Sequence, residues 1–305
     1  MRVALVKELG GINSVELSEW PDPTPAAGQA VVRVQAAGVG PWDVKLISGA
    51  FGTPPLPSVP GFEVAGVVES VGDGVDVQPG DQVYANLAGG GFADRALVSV
   101  DQLAHKPDRL SFEEAAGLVV GGGTAYEGLV DRGGLQAGET ALITAAAGGV
   151  GSAAVQIAAA VGARPLGVAG PRNHDYLLGL GASDAFDYHA ADWVQQVLAA
   201  VPGGVDVLFD GAGGETRDRA VGAVREGGRA VFLVGPPTQL ERGIKGDTFS
   251  VEITRQRLEA LRRLVDAGKL RPQIEAVIPF EQVREALERV AGGHTRGKIV
   301  LQIGQ

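Results

Sequence analysis

The chain has 305 residues, of which 45% are hydrophobic and 20% are charged. This length exceeds what one hydrophobic core usually serves, so two domains are expected. The 26 Lys and Arg residues face 36 Asp and Glu residues, and the net charge of −10 argues against nucleic acid or an anionic membrane as a main partner. Cysteine is absent, which excludes disulfides, thiolate metal ligands and cysteine nucleophiles.

Two further classes of feature are missing from the sequence. The four histidines (His105, His174, His189 and His294) show no metal-ligand spacing, so no metal site is predicted. The first residues, MRVALVKELGG, contain no apolar run long enough for a signal peptide, and no stretch approaches the length of a membrane span. A cytoplasmic protein is therefore expected.

Residues 1–110 have the pattern of a β-rich domain. Runs such as AVVRVQAAGV cluster β-branched residues, and the segments PDPTPAAG, GTPPLPSVPG and VQPGD between them are turn signals. Several short strands with Gly and Pro breaks indicate a compact β-barrel or sandwich.

The pattern changes near residue 112, where strands begin to alternate with helices. Ser111 followed by Glu114 forms a capping-box pattern. After it come a strand in ETALITAA, a helix in GGVGSAAVQIAAAVG and a strand in ARPLGVAG, and the alternation continues to RAVFLVG. This rhythm predicts a parallel sheet covered by helices on both faces. The tail from IEAVIPF to GKIVLQI returns to strands and is expected to pack on the N-terminal β-domain.

A glycine loop stands between the first strand and the first helix of this alternation. It reads TAAAGGVGS, with Ala145, Gly148 and Gly151 at the spacing of a dinucleotide-binding turn. Gly148 lets the backbone approach a ligand, and Gly151 lets the helix lie close to the strand. The N–H groups at the start of the helix then face a pyrophosphate. A tight turn without a ligand is the alternative.

The end of the second strand indicates which dinucleotide binds. A site for NADH usually carries Asp or Glu there, for the ribose hydroxyls. This chain has Val168-Ala169-Gly170 followed by Pro171-Arg172-Asn173-His174. Arg172 and His174 are placed to meet a 2′-phosphate, with Tyr188 nearby at the end of the third strand, so the pattern favours NADPH. The alternative is that Arg172 is only a solvated residue at the start of a helix.

Several longer motifs carry a family resemblance. They are PGFEVAGVVESVG (60–72), VQPGDQVYA (77–85), GGTAYEGL (122–129), TAAAGGVGSAAVQIA (144–158) and HTRGKIVL (294–301). In this order the chain resembles the medium-chain dehydrogenase/reductase superfamily, and within it the zinc-independent quinone oxidoreductase and enoyl reductase branch. The resemblance implies a GroES-like catalytic domain over residues 1–115, completed by 270–305, and a Rossmann NADPH-binding domain over 116–269. It also implies a homodimer.

The chain departs from this family in the segment GVGPWD. Gly40 and Phe62 stand where the zinc branch has Cys and His, and neither can bind a metal. Gly40 also replaces the Asn of the quinone reductase branch, and Phe51 stands near the position where related enoyl reductases have a Tyr. The resemblance therefore implies a substrate pocket that is wider and less polar than usual. Candidate pocket residues are Gly40, Trp42, Phe51, Phe62 and Tyr84, although Trp42, Phe51 and Tyr84 fit core packing equally well.

Candidate cofactor contacts fall in the second half of the chain. They are Thr124, Ala147, Gly148, Gly149, Val150, Gly151, Gly170, Arg172, Asn173, Tyr188, Ala212, Val234 and Lys298. No catalytic side chain is assigned, because the hydride would come from the cofactor. The function expected is hydride transfer from NADPH to a small-molecule quinone or activated alkene. A non-redox, cyclase-like enzyme acting on a polyketide-type substrate and a non-catalytic NADPH-binding protein remain alternatives, since a fold does not fix a function.

Overall fold

A computed structural model describes residues 1–50, 52, 55–235 and 239–304. The predicted pocket residue Phe51 lies outside the described residues. The strands, in chain order, are β1 (Arg2–Val6), β2 (Val15–Glu19), β3 (Gln29–Val39), β4 (Glu63–Val71), β5 (Gln82–Asn86), β6 (Arg95–Ser99), β7 (Leu103–His105), β8 (Thr140–Ile143), β9 (Arg164–Val168), β10 (Asp184–Phe186), β11 (Val205–Asp210), β12 (Val224–Phe232), β13 (Lys245–Thr248), β14 (Ile274–Pro279) and β15 (Lys298–Gln302).

Most of the α-helices among the described residues follow residue 111. In chain order they are α1 (Pro41–Ile47), α2 (Phe112–Tyr126), α3 (Gly149–Val161), α4 (His174–Gly179), α5 (Trp193–Ala200), α6 (Gly214–Ala220), α7 (Arg255–Asp266) and α8 (Val283–Ala291). The predicted capping box at the start of α2 is present: Glu114 N donates to Ser111 Oγ at 3.2 Å, and Ser111 N donates to the Glu114 carboxylate at 3.1 Å. A π-helical turn, Glu127–Arg132, follows α2 directly.

The chain divides into two compact units. The β-unit consists of Met1–Val120, Ile253–Asp266 and Pro272–Gln305, and the α/β-unit consists of Gly121–Glu252 and Ala267–Arg271. Helix α7 therefore belongs to the β-unit, whereas the boundary expected from the sequence places it in the second domain. A physical reason is the hydroxyl of Tyr84 in β5, which donates to the carbonyl of Leu258 in α7 at 2.5 Å.

The β-unit is built on a sheet of order β14-β15-β3-β4-β5-β7, in which β6 also pairs with β3. Strand β15 runs antiparallel to β3, with Ile299 opposite Val39 and Leu301 opposite Ala37. This pairing confirms the prediction that the tail packs on the N-terminal strands. In β3 the side chains of Val32 and Val34 are buried in the core while Arg33 between them is exposed, which is the alternation expected of a strand with one face on the core.

The α/β-unit contains a parallel sheet of order β10-β9-β8-β11-β12-β13. The chain runs outward from β8 through β9 to β10, then crosses to β11 on the other side of β8 and continues to β13. Strand β8 is buried at each of its four residues, as expected for a parallel strand covered on both faces. The predicted alternation is confirmed, and the order of the strands reverses between β8 and β11. A crevice at the carboxyl ends of the strands at such a point is where doubly wound sheets bind ligands.

Among the described residues, no helix has both the length and the apolar character needed to cross a bilayer.

Candidate cofactor and substrate sites

The glycine loop follows β8 at the point where the strand order reverses. Helix α3 begins at Gly149, and the first bond of its ladder runs from Ser152 N to Gly148 O at 2.9 Å. The N–H groups of Gly149, Val150 and Gly151 therefore precede the helix's own hydrogen bonds and are available for an anion. Ala147 completes the turn and is buried.

The two glycines of this loop have different surroundings. A Cβ on Gly151 would lie 2.3 Å from Ala145 O and 2.6 Å from Ala146 Cα, both backbone atoms. A Cβ on Gly148 would meet only Ala145 O, at 3.5 Å, and would otherwise project into open space. Gly151 is thus required by the close approach of helix and turn, as predicted, while Gly148 leaves room beside the loop. Ala145 itself has a φ of 50°, a left-handed conformation that costs a non-glycine residue about 1–2 kcal/mol.

A buried polar cluster holds two loops together behind this turn. Asp210, at the end of β11, is fully buried and accepts a hydrogen bond from Thr144 Oγ1 at 2.5 Å and from Gly213 N at 3.0 Å. Thr144 Oγ1 in turn accepts from Gly211 N at 3.1 Å. Burial raises the pKa of Asp210, and the hydroxyl and amide donors oppose this shift. The cluster fixes the loops after β8 and β11 against each other. Neither Thr144 nor Asp210 is among the predicted site residues.

The residues predicted for the adenosine end lie around the carboxyl ends of β9 and β10. Gly170, Arg172 and Asn173 form the turn that follows β9, and Arg172 is exposed. A Cβ on Gly170 would lie 4.0 Å from Tyr188 Cε1, so Tyr188 borders the same turn. His174, proposed as a second phosphate contact, instead has its Nε2 3.2 Å from the carbonyl oxygen of Ala169.

Ala212 and Val234 follow β11 and β12 at the same edge of the sheet. Val234 is 42% exposed, and its Cγ1 lies 2.9 Å from the position a Cβ on Gly213 would take. Ala212 is also exposed. Both residues therefore lie at the edge of the sheet that the glycine loop also occupies.

Thr124 is the remaining predicted cofactor contact in the α/β-unit. Its side chain is 3% exposed, and Oγ1 has no hydrogen-bond partner among the described residues. A buried hydroxyl without a partner is disfavoured by about 1–3 kcal/mol. This orphaned group fits a hydroxyl that meets a ligand.

In the β-unit, the space beside Gly40 is filled. A Cβ on Gly40 would lie 2.2 Å from both Cε2 and Cζ2 of Trp42. The expectation of a wider pocket at this position is therefore wrong, because the indole of Trp42 takes the place of a side chain at residue 40. Only glycine leaves room for the ring.

Lys298 is held inside the β-unit. Its side chain is 6% exposed, and Nζ bonds Glu63 Oε1 and the carbonyl oxygen of Val39, the latter at 2.9 Å. The other Glu63 oxygen accepts a hydrogen bond from Val120 N at 2.8 Å. The cofactor contact predicted for Lys298 is not what the structure shows, because the ammonium is committed to these internal partners. Glu63 was not predicted, although it follows Phe62 directly in the recognised motif.

Tyr84 and Phe62 differ in how they fit the predicted pocket. Tyr84 is fully buried and its hydroxyl is bonded to Leu258, so its assignment to the pocket is corrected to core packing. Phe62 is half-buried, and its carbonyl oxygen accepts from Leu87 N at 2.8 Å and from Asn86 Nδ2 at 2.9 Å. The ring of Phe62 stays a pocket candidate.

Within the described part of the chain no cluster of three or more His, Cys, Asp or Glu side chains is arranged to hold a metal.

Asp43 fixes the start of α1. It is fully buried, and its carboxylate accepts from Gly40 N at 2.8 Å and from Gly61 N at 3.0 Å. Burial raises the pKa of Asp43 to about 7, although both backbone donors and Lys298 oppose the shift. The carboxyl therefore joins the segment at Gly40 to the turn at Gly61.

A pH dependence of stability follows from the raised pKa of Asp43. The unfolded chain releases this proton near pH 4 and the folded chain near pH 7. Between these values the folded state binds more protons, so the Asp43 contribution to the free energy of unfolding falls as pH rises, by about 1.4 kcal/mol per pH unit at most. We expect wild type to lose stability relative to Asp43→Asn as the pH rises from 5 to 8 in urea titrations. A difference that is constant with pH would contradict the raised pKa.

Comparison with known proteins adds two family models and a set of full-length relatives. Residues 26–108 match the alcohol dehydrogenase GroES-like domain, and residues 180–301 match the zinc-binding dehydrogenase model. The human synaptic vesicle membrane protein VAT-1 homolog is 32% identical over 341 residues, which cover 100% of this chain and 87% of the relative.

Two further relatives carry enzymatic names. The chloroplastic NADPH-dependent alkenal/one oxidoreductase of Arabidopsis thaliana is 33% identical over 318 residues, 99% of this chain and 79% of the relative. The quinone oxidoreductase of Homo sapiens is 31% identical over 320 residues, 99% of this chain and 97% of the relative.

Solved structures show the same architecture over the whole chain. An NAD-dependent alcohol dehydrogenase superposes with a TM-score of 0.92 at 30% identity and full coverage of both chains. The quinone oxidoreductase from Coxiella burnetii superposes with a TM-score of 0.88 at 28% identity, covering 99% of each chain.

Proposed function

The chain belongs to the medium-chain dehydrogenase/reductase superfamily, in the branch of the quinone oxidoreductases and enoyl reductases, and on that premise we propose an NADPH-dependent, zinc-independent reductase of quinones or α,β-unsaturated carbonyl compounds. The chain is an oxidoreductase with a GroES-like domain and a Rossmann-type domain. The observation that carries the proposal is the glycine loop at the reversal point of the parallel sheet, with open space at Gly148 and unused N–H groups at the start of α3.

The residues present fit a nicotinamide dinucleotide. The amides of Gly149, Val150 and Gly151 would hold the pyrophosphate, and Gly170, Arg172 and Tyr188 would border the adenosine ribose. The Thr124 hydroxyl, buried and without a partner in the described residues, would meet the nicotinamide end. Thr144 and Asp210 would keep the loops on which these contacts depend in place.

The chemistry proposed asks little of the protein beyond binding and orientation. A bound reduced nicotinamide would supply a hydride for the β-carbon of an enone. The alkene electron pair would form the enolate C=C bond, the carbonyl π pair would move onto oxygen, and a proton from water would add to the α-carbon. The chain then has to orient the substrate and stabilise charge on that oxygen. Zinc independence is supported by the absence of cysteine and by Gly40 and Phe62, which lack donor atoms at positions where the zinc branch has ligands.

A preference for NADPH over NADH is the first expected result. No acidic residue stands between Val168 and His174 to bind ribose hydroxyls, and Arg172 is exposed at the turn. One charge-assisted phosphate contact is worth about 1.5–3 kcal/mol, hence about tenfold or more in affinity. Calorimetric titration of the purified chain with both cofactors measures this. Equal affinities for the two cofactors, or tighter binding of NADH, would refute the assignment of NADPH.

The proposed reaction is tested by cofactor oxidation. NADPH consumption is followed with 1,4-naphthoquinone and with 2-cyclohexen-1-one, and products are identified by mass spectrometry. Reduction of either substrate class supports the proposal. Binding of NADPH without oxidation by any member of a quinone and enone panel would refute it and leave a non-redox enzyme or a non-catalytic NADPH-binding protein.

We also propose that the chain forms a homodimer in the cytoplasm. Strand β13 ends the parallel sheet and has β12 as its one sheet neighbour among the described residues, so its outer edge is available for pairing with another copy. Small molecules remain the proposed partners, since the net charge of −10 disfavours nucleic acid. Sedimentation velocity distinguishes a dimer from a monomer.

A further inference from the structure

The indole of Trp42 carries a polar atom that the β-unit leaves unused. Its Nε1 is buried, yet it has no hydrogen-bond partner among the described residues. Indole nitrogen is a donor only, and a buried donor without an acceptor is destabilising. The ring as a whole is half-buried, so this donor does not belong to a fully enclosed core side chain.

Three independent contacts keep the ring where it is. Gly40 provides the space, since a Cβ there would overlap Cε2, the atom bonded to Nε1. The Lys298 ammonium lies 4.9 Å from the ring centroid, within the range of a cation–π attraction. Asp43, the next residue in the chain after Trp42, accepts hydrogen bonds from Gly40 N and from Gly61 N and so fixes this segment to the turn at Gly61. The position of the unpartnered N–H is thus determined by surrounding residues that are themselves buried and bonded.

The Lys298 ammonium also affects the donor. It is held by Glu63 and by the carbonyl of Val39, so it cannot swing away from the ring. A cation over the face of an aromatic ring draws electron density from it, which makes the N–H a stronger donor. A fixed and polarised donor is the type of group that stabilises negative charge as it develops.

We propose that Trp42 Nε1 donates a hydrogen bond to the carbonyl oxygen of the quinone or enone substrate, and that Gly40 and Lys298 act as positioning residues for it. This inference rests on the proposed function. The donor stabilises the oxygen on which charge builds and does not transfer a proton. Its effect should therefore be larger on kcat than on KM, because the hydrogen bond strengthens as the oxygen becomes negative.

Trp193 offers a matched control within the same chain. Its Nε1 is also buried without a partner in the described residues, and the Arg219 guanidinium lies 5.4 Å from its ring. It differs in being fully enclosed in the core of the α/β-unit. If an unpartnered indole beside a cation were only a packing feature, Trp42→Phe and Trp193→Phe would behave alike.

The first measurement uses the wild-type chain and requires no turnover. Indole ¹H–¹⁵N resonances of the three tryptophans are recorded with NADP⁺ present while 2-cyclohexen-1-one is added, and Trp20→Phe and Trp193→Phe assign the Trp42 signal by elimination. We expect the Trp42 N–H proton to move downfield while the other two stay. An unmoved Trp42 resonance at saturating 2-cyclohexen-1-one would overturn the proposal.

The second measurement compares variants in steady-state kinetics. We expect Trp42→Phe to lower kcat for 2-cyclohexen-1-one about tenfold, with KM changed less than about threefold and NADPH affinity unchanged, and Trp193→Phe to stay within about twofold of wild type. Equal losses in both variants, or none in Trp42→Phe, would overturn the proposal. A wild-type chain that shifts the Trp42 resonance without oxidising NADPH would refute the reductase function while supporting the donor.

Discussion

Gly151→Val is expected to abolish NADPH binding and to reduce soluble expression severely. A Cβ at this position would lie 2.3 Å from Ala145 O and 2.6 Å from Ala146 Cα, and backbone atoms cannot move aside as a side chain can. Overpacking of this kind costs about 1–3 kcal/mol and sometimes more, and a branched side chain adds to it. Thermal unfolding and calorimetric titration with NADPH measure the two effects.

Gly148→Ala is the control for this prediction. Its Cβ would meet a single atom at 3.5 Å, which is ordinary contact, so the variant should fold with a Tm close to that of wild type. We expect it to weaken NADPH binding by about tenfold or more, because the methyl group enters the space proposed for the pyrophosphate. If Gly151→Val folds and binds NADPH normally, the glycine loop is not the pyrophosphate site.

Lys298→Met is expected to destabilise the β-unit by about 3–5 kcal/mol, the range measured when one partner of a buried ion pair is removed. Glu63 is fully buried and would lose the ammonium that pairs with it. Urea unfolding followed by the near-ultraviolet signal measures the loss.

The double variant Glu63→Gln, Lys298→Met is the control for the ion pair. With both charges removed, the penalty of an unpaired buried carboxylate disappears, and we expect the double variant to be more stable than Lys298→Met alone. The carboxamide introduced at position 63 could still accept the hydrogen bond from Val120 N. A Lys298→Met variant within about 1 kcal/mol of wild type would mean that the pair contributes little.

The fold could be predicted because its signals are local. Alternation of strands and helices after residue 112, the capping box at Ser111 and the glycine loop each depend on residues close together in the sequence. The common location of the loops after β8, β9 and β11 was predictable for the same reason, since these loops follow parallel strands whose carboxyl ends must share one edge. Asp210 was not predicted, because no local sequence pattern indicates that its carboxylate accepts a hydrogen bond from Thr144, 66 residues away.

The site in the β-unit was harder to predict, since it depends on contacts between distant segments. Lys298 pairs with Glu63 across 235 residues, and no local pattern indicates that a lysine in GKIV is buried. The glycine at residue 40 suggested empty space, whereas Trp42, two positions further on, turns back to fill it. The assignment of Tyr84 to the pocket was wrong because this strand is buried on both faces: Val83, Tyr84 and Ala85 are all buried. The sequence therefore lacks the alternation of polar and apolar residues that would show which face Tyr84 is on.

The pairing of β15 with β3 has a consequence for how the polypeptide acquires its structure on the ribosome. Leu301 lies opposite Ala37, so β3 gains this neighbour only after nearly the whole chain has been translated. The α/β-unit is almost continuous in sequence and can form as soon as its last strand emerges. Vectorial synthesis therefore favours completion of the α/β-unit first, and the β-unit, with its large loop-closure entropy, is the slower part to close.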